Sequence, residues 1–361
     1  MCIRDRVKNF QSNVAFSPLL QYQNSDTLTD EIKLKVREIW LSDLDVTVTH
    51  SSTTFTTLLA YALAVSGNKK YTILTSLHEH FGGIQAFENL PNNFQIIYLK
   101  DDDIADQERF QSAIDLYRPD VLFLSHVFYD VGWVLPINQY GRILKSSSPE
   151  SIFIVDVAQS IGLIDMPKTD YIDLMFGSTH KWLMGPQGMG ILWTSAMFKS
   201  KVKSIYLMKG NLNDSDDGFK IAGGRDFSIY SMLLFALNQY QNTGIVVVEN
   251  KVRNLSDYFW KLISSCFDEF NIKCNRMEGM GEGERSAPFL ILYFKDYNPY
   301  ELYRKMENSN VHVKCIIDRN VFGVHVNILR VGVQNFETIK RLEESVKIIE
   351  KCLLDLKKRG G

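Results

Sequence analysis

The sequence predicts an α/β fold: a mostly parallel central sheet covered by helices, followed by a smaller α+β domain. Three observations carry this expectation. Short β-rich runs alternate with helical patterns from residue 46 to residue 193, and strands that alternate with helices imply a parallel sheet covered on both faces. Beyond residue 240 the pattern changes to helical stretches around two β-like runs. At 361 residues the chain is also longer than one typical core supports, so a large domain and a smaller one are expected.

The β-rich runs of the first part are Val46–Thr49, Tyr71–Ser76, Gln95–Leu99, Val121–Ser125, Ile152–Val155, Leu174–Phe176 and Gly190–Trp193. Residues 1–35 ahead of them read as an N-terminal arm, which gives expected boundaries of 1–35, 36–240 for the large domain and 241–361 for the small one. Met1–Arg6 (MCIRDR) resembles translated adaptor sequence, so the native start is expected to be missing. Met208–Gly224 is polar and contains glycine; it reads as a long loop near the active cleft, since loops of that length often carry function. In the last part the β-like runs are Pro288–Phe294 and Val311–Ile317. After Asn335, Ile339, Leu342, Val346, Ile349 and Leu353 recur at intervals of three or four, the stripe of an amphipathic helix packed on a sheet.

Apolar residues make up 45% and charged residues 23%, with a formal net charge of -2, which gives no reason to expect nucleic acid or an anionic membrane as partner. The five cysteines lie far apart without a CxxC pair, so neither a disulfide framework nor a zinc cluster is suggested and a reducing compartment fits. No apolar run approaches membrane-spanning length, and the N-terminus lacks the apolar core of a signal peptide. The protein is therefore expected to be soluble and cytoplasmic.

Ligands of open α/β sheets bind beyond the carboxyl ends of the strands. Asp156 and Gln159 follow Ile152–Val155, and Ser178, Thr179, His180 and Lys181 follow Leu174–Phe176. Alone, Lys181 reads as a solvated surface lysine. Its successors Trp182, Leu183 and Met184 and the run Gly185–Gly190 are apolar or glycine-rich, and desolvation there would lower the ammonium pKa and favour the neutral amine that forms a Schiff base. The glycines do not follow the dinucleotide-binding order GxGxxG. Asp156 fits either an N-cap or the carboxylate that keeps the ring nitrogen of pyridoxal 5'-phosphate (PLP) protonated.

Two further segments face the same rim. His50–Thr54 precedes an apolar helical pattern (Phe55, Leu58, Leu59, Ala62) and sets hydroxyls, Thr53 and Thr54 among them, at a helix N-terminus. Such a terminus binds phosphate, although Ser or Thr also serves there as an ordinary cap. Leu77-His78-Glu79-His80 offers an aromatic ring after Tyr71–Ser76. No third ligand at a recognisable spacing accompanies its histidines and HExxH is absent, so His80 is expected to stack on a cofactor ring or to be exposed, and no metal is expected.

With these residues in order, the chain resembles the class V aminotransferase family of fold-type I PLP-dependent enzymes from about residue 36 to 350. The stretch Asp156-Val157-Ala158-Gln159, then Asp170-Tyr171-Ile172-Asp173, then Gly177–Leu183 and Gly185–Trp193 carries the resemblance. It is especially similar to isopenicillin N epimerase and the cysteine desulfurases, while Ser125-His126-Val127 with Gly132 is similar to the epimerase and to kynureninase. The resemblance implies that Lys181 holds PLP, Asp156 partners the pyridinium, Gln159 donates to the ring oxygen, and His80 is the stacking ring. Ser178 and His180 would hold the phosphate with Thr53 and Thr54. Leu329-Arg330-Val331-Gly332 is similar to the family's LRxS segment, so Arg330 would clamp the α-carboxylate of an amino-acid substrate. A homodimer is implied as well.

Three departures bear on the reaction. Gly223–Ser228 resembles the family's GTRDYS segment with Gly224 in the threonine position, which puts a cross-dimer phosphate contact in question. A desulfurase requires a nucleophilic cysteine where this chain has Ile317, Asp318 and Arg319, and Cys315 alternates with polar neighbours as a core-facing strand residue. Kynureninases usually have tyrosine where this chain has His180. The expectation is an aminotransferase-like enzyme, with a kynureninase-like C–C hydrolase second, a catalytically silent relative third and a nicotinamide oxidoreductase last, since no glycine fingerprint follows a strand.

Overall fold

The computed structural model describes residues 18–66, 69–202, 227–280 and 285–358. The chain runs through α1 (Pro18–Ile39), β1 (Asp45–His50), α2 (Ser52–Ser66), β2 (Tyr71–Ser76), α3 (Phe81–Glu88), β3 (Phe94–Leu99), α4 (Asp101–Ala105), α5 (Gln107–Tyr117) and β4 (Val121–Ser125). It continues through α6 (Ile137–Ser147), β5 (Ile152–Asp156), β6 (Leu174–Ser178), β7 (Met189–Thr194), α7 (Ala196–Lys201), α8 (Phe227–Thr243) and α9 (Ile245–Glu269). The last elements are β8 (Asn275–Arg276), β9 (Leu290–Phe294), α10 (Tyr300–Asn308), β10 (Lys314–Val321), β11 (Val324–Val331) and α11 (Ile339–Lys357).

These elements form two compact units, the first comprising the described residues of 1–99, 108–126 and 136–245 and the second those of 100–107, 127–135 and 246–361. The first holds a seven-stranded sheet in the order β1-β7-β6-β5-β4-β2-β3. The pairs β3–β2–β4–β5–β6 are parallel, whereas β7 runs antiparallel to both β6 and β1. β4, β5 and β6 are buried along their whole length, which explains why they read as unbroken apolar runs rather than as alternating ones. Phe55, Leu59 and Leu63 of α2 pack on Ile73, Phe123, Ile154, Leu174 and Phe176 of the sheet, and each such side chain contributes roughly 1.5–3 kcal/mol of burial.

From Pro18 onward, the stretch expected as an N-terminal arm is the 22-residue helix α1. It buries Ile32 and Val36, and Trp40 just beyond it stacks on Tyr240 with ring centroids 5.5 Å apart. The second unit holds a four-stranded antiparallel sheet in the order β10-β11-β9-β8. Phe259 and Phe267 of α9, Leu302 and Met306 of α10, and Leu342, Ile349 and Leu353 of α11 cover Leu290, Leu292 and Leu329.

Three expectations for this unit are corrected. The strand expected over Val311–Ile317 begins at Lys314 and extends to Val321. A register shift between Ile316 and Arg319 breaks its alternation, so Val311, Val313 and Cys315 pack on the core while Ile317 is 40% exposed. β11 is an additional strand, joined to β10 by Phe322 and Gly323, both at positive φ (49° and 77°). In α11 the expected stripe residue Ile339 is exposed and Val346 only partly buried, since Ile339 is the first residue of the helix.

Candidate functional site

Parallel pairing sets the carboxyl ends of β2, β4, β5 and β6 on one edge of the sheet, and the chemistry-bearing residues gather there because each follows a strand. Asp156 ends β5 and lies beside Ser125, the last residue of β4. The His126 backbone N–H donates to the Asp156 carbonyl at 2.8 Å. Ser125 in turn donates its backbone N–H and its hydroxyl to the two carboxylate oxygens of buried Glu79, which ties the end of β4 to the segment after β2.

Lys181 stands in the loop between β6 and β7, a loop closed at its base by Thr179. The Thr179 backbone N–H donates to the Met189 carbonyl at 3.1 Å and its carbonyl accepts from Gly185 N–H at 2.8 Å. Its hydroxyl donates to the Pro186 carbonyl at 3.0 Å. The loop turns through Met184 at a φ of 55°, a conformation uncommon outside glycine. It also rests on the turn after β5. A Cβ on Gly162, whose φ is +83°, would fall 2.6 Å from the Leu183 backbone nitrogen. Gly162→Ala is therefore expected to cost about 2–4 kcal/mol through strain and overpacking. Denaturant unfolding checks this, and an unchanged midpoint would contradict the close approach.

Asp156 is 7% exposed. Its Oδ1 accepts from Ala158 N–H at 2.7 Å, while Oδ2 lies 3.8 Å from where a Cβ on Gly83 would sit. Burial pushes the Asp156 carboxyl above the ordinary aspartate range, and the Lys181 ammonium and the Ala158 N–H pull the other way. Gln159, three residues on, is also buried and accepts from the Trp182 indole N–H through Oε1 at 3.1 Å.

The helix N-termini of α2 and α3 adjoin this rim. Ser178, at the end of β6, accepts the Ser52 backbone N–H at 2.9 Å and donates to the Ser52 hydroxyl at 2.8 Å, so the end of β6 is joined to the first residue of α2. His80 caps α3, its Nδ1 accepting from Gly82 N–H at 3.1 Å. Its ring packs on Phe81 with centroids 4.2 Å apart. The two helix starts abut: the Thr56 hydroxyl donates to the Gly82 carbonyl at 2.7 Å, and a Cβ on Gly82 would lie 2.5 Å from Thr53 Oγ1. Thr54 is exposed, with its hydroxyl 3.2 Å from that of Ser51. His180 is exposed as well, although partial desolvation and the neighbouring Lys181 cation lower its imidazole pKa.

The first unit therefore gathers Lys181, Asp156, Gln159, Ser178, His180, Thr53, Thr54 and His80. The sequence reading gave no role to Gly82, Gly83 and Gly162, which carry no local signal; it named Ser52 only within the hydroxyl run and Trp182 only as the residue after Lys181.

Arg330 belongs to the second unit, on β11. Its Nη1 donates to the Tyr129 carbonyl at 3.0 Å and the guanidinium lies 6.0 Å from the Phe289 ring centroid. Burial lowers its pKa while Tyr129 and Asp130 oppose that. Its other N–H groups donate to no described residue. The neighbouring Arg319 Nε pairs with the wholly buried Asp130 carboxylate at 2.5 Å. Burial raises the thiols of Cys266 and Cys315 to about 11 and that of Cys274 to about 12. The Met208–Gly224 loop and the Gly224 departure lie outside the described residues. Among the described residues no group of His, Cys, Asp and Glu could hold a metal ion, and no helix is long and apolar enough to cross a membrane.

The Aminotransferase class-V family matches residues 5–330. A cysteine desulfurase, IscS, of Haemophilus influenzae is 30% identical over 139 residues, 37% of this chain and 33% of that protein. The alignment thus spans about a third of the curated relative. The apo structure of a cysteine desulfurase from Thermococcus onnurineus superposes with a TM-score of 0.72 at 18% identity, covering 92% of this chain and 85% of that one. A variant of C-DES with glycine covalently linked to its PLP cofactor gives a TM-score of 0.77 at 17% identity, covering 96% of this chain and 91% of that one. At these identities the likeness establishes the fold.

Proposed function

The chain belongs to the class-V aminotransferase family, whose cofactor is PLP, and on that premise we propose that it acts on an amino acid, with Lys181 as the amine that holds the cofactor. Asp156 is the observation that carries the reading. A carboxylate buried at the sheet rim, with a raised pKa and an oxygen that takes no hydrogen bond from a described residue, fits a protonated ring nitrogen. When bound, the cofactor supplies a sink for the electron pair left at the substrate Cα.

The chain's own groups then have separate tasks. Asp156 holds the proton on the ring nitrogen through a charge-assisted hydrogen bond. Lys181 Nζ takes the proton from the substrate Cα. Gln159 donates its amide N–H to the ring oxygen, and His80 offers its ring face. The backbone N–H groups of Thr53 and Thr54 in the first turn of α2, with the side chains of Thr53, Thr54, Ser178 and His180, receive the phosphate. Arg330, whose N–H groups other than the one on Tyr129 donate to no described residue, takes the α-carboxylate.

Among reactions on this scaffold, the reading favours an aminotransferase-like outcome over cysteine desulfuration. The segment where a desulfurase carries its nucleophilic cysteine reads Ile317-Asp318-Arg319 here, and burial raises the thiols of Cys266, Cys274 and Cys315 away from the thiolate form that attacks sulfur. The same reading makes the protein a cytoplasmic homodimer with a small-molecule amino-acid substrate. Its test is the visible spectrum of the purified protein, with borohydride reduction and peptide mapping. A band fixed by reduction onto Lys181 is expected, followed by amino-group transfer in a screen of amino acids and keto acids. Sulfide release from cysteine would favour the desulfurase reaction, and no band after added PLP would overturn the proposal.

A further inference from the structure

The Trp182 indole does more than fill space beside Lys181. An indole N–H is a donor only, whereas a primary amide has one accepting oxygen and one donating nitrogen. The 3.1 Å contact between Trp182 Nε1 and Gln159 therefore obliges the amide to present Oε1 to the indole, and its NH2 must point elsewhere. Both side chains are buried, at 8% and 7% exposure, so a flipped amide would set one buried N–H against another. Nε2 has no partner among the described residues, and it is the group left for an incoming acceptor.

The backbone holds this pair in register. Gln159 lies on the turn after β5 and Trp182 on the loop after β6, and Gly162 lets the two approach until a Cβ there would sit 2.6 Å from Leu183 N and 2.9 Å from the Trp182 carbonyl carbon. Lys181 precedes Trp182 directly, so the loop that presents the amine also orients the amide.

We propose that Trp182 is a positioning residue, which acts through Gln159 by fixing which end of its amide faces the cofactor's ring oxygen. The inference rests on the PLP reading and adds to it a residue that does not itself touch the cofactor. Its consequence is that Trp182 and Gln159 act as one unit: with Gln159 gone, the indole N–H has nothing left to orient.

The experiment is a double-mutant cycle on the cofactor-loaded protein, with Trp182→Phe, Gln159→Ala and the pair. Two quantities are read: the dissociation constant of PLP and the midpoint of the pH titration of the visible band. Trp182→Phe keeps an aromatic ring but removes the donor. It is expected to weaken PLP binding roughly 3- to 10-fold, the range one neutral hydrogen bond supports, and to move the midpoint, yet to change neither quantity in the Gln159→Ala background. Trp182→Leu, which also removes the indole donor, is carried through the same cycle if Trp182→Phe does not fold. Equal effects of Trp182→Phe in both backgrounds would show a packing role and overturn the inference, as would no effect in the wild-type background. A wild-type protein that gains no visible band removes the PLP reading itself, a result distinct from either.

Discussion

Lys181→Ala is expected to lower turnover of any amino acid the wild-type protein converts by at least about 10³-fold, within the range of losing a positioned proton-transfer group. It should also remove the absorption band that borohydride fixes. The substitution deletes the amine that holds the cofactor and the base that works at Cα, so no partial function should remain from this side chain. The fold should survive. The loop around Lys181 is closed by backbone bonds and by the Thr179 hydroxyl, none of which involves the lysine side chain. Steady-state turnover with matched circular dichroism spectra checks both points. Turnover within tenfold of wild type would remove Lys181 from its assigned role.

Asp156→Asn should separate stability from function. The Asp156 carboxyl is held above its ordinary range in the fold by burial. A group whose pKa is raised on folding adds stability below its unfolded pKa, and that stability is lost as pH rises through the folded value. The cofactor-free wild-type protein should therefore lose thermal stability as pH climbs from the ordinary carboxylate range through the raised value. Asp156→Asn, which keeps an oxygen for the Ala158 N–H but carries no charge, should flatten that slope and melt higher at pH 8. With cofactor bound, the variant should be slower by at least about 10- to 100-fold, the value of one charge-assisted hydrogen bond, because it cannot hold the ring nitrogen protonated. Melting scans across pH on the cofactor-free proteins, followed by kinetics on the loaded ones, test the two halves. A variant that melts lower than wild type at pH 8 would refute the burial argument.

The large sheet was legible because its central strands are buried on both faces, so Val121–Ser125 and Ile152–Val155 stand out as apolar runs between helical patterns. The candidate site was legible for a related reason: parallel strands place whatever follows them on one edge, so Asp156, Ser178 and Lys181 could be put together from strand ends alone. The hairpin of the second unit was not. Its turn uses Phe322 and Gly323 at positive φ, and a phenylalanine there gives none of the asparagine or aspartate signal by which such turns are read. The shift between Ile316 and Arg319 likewise moved Ile317 off the face its alternation assigned.

By itself the sequence determined the class of fold, the order of the strands along the chain and the residues able to carry chemistry, because these follow from local periodicity and residue type. Only the tertiary structure decided which of those residues meet and how each is turned. The union of Ser178 with Ser52 spans 126 residues of chain and that of Trp182 with Gln159 spans 23, and pairings at such separations leave no local pattern. The close approach at Gly162 is of the same kind. A glycine in a turn is unremarkable in sequence, and its necessity appears only when another segment's backbone lies within 3 Å of the missing Cβ.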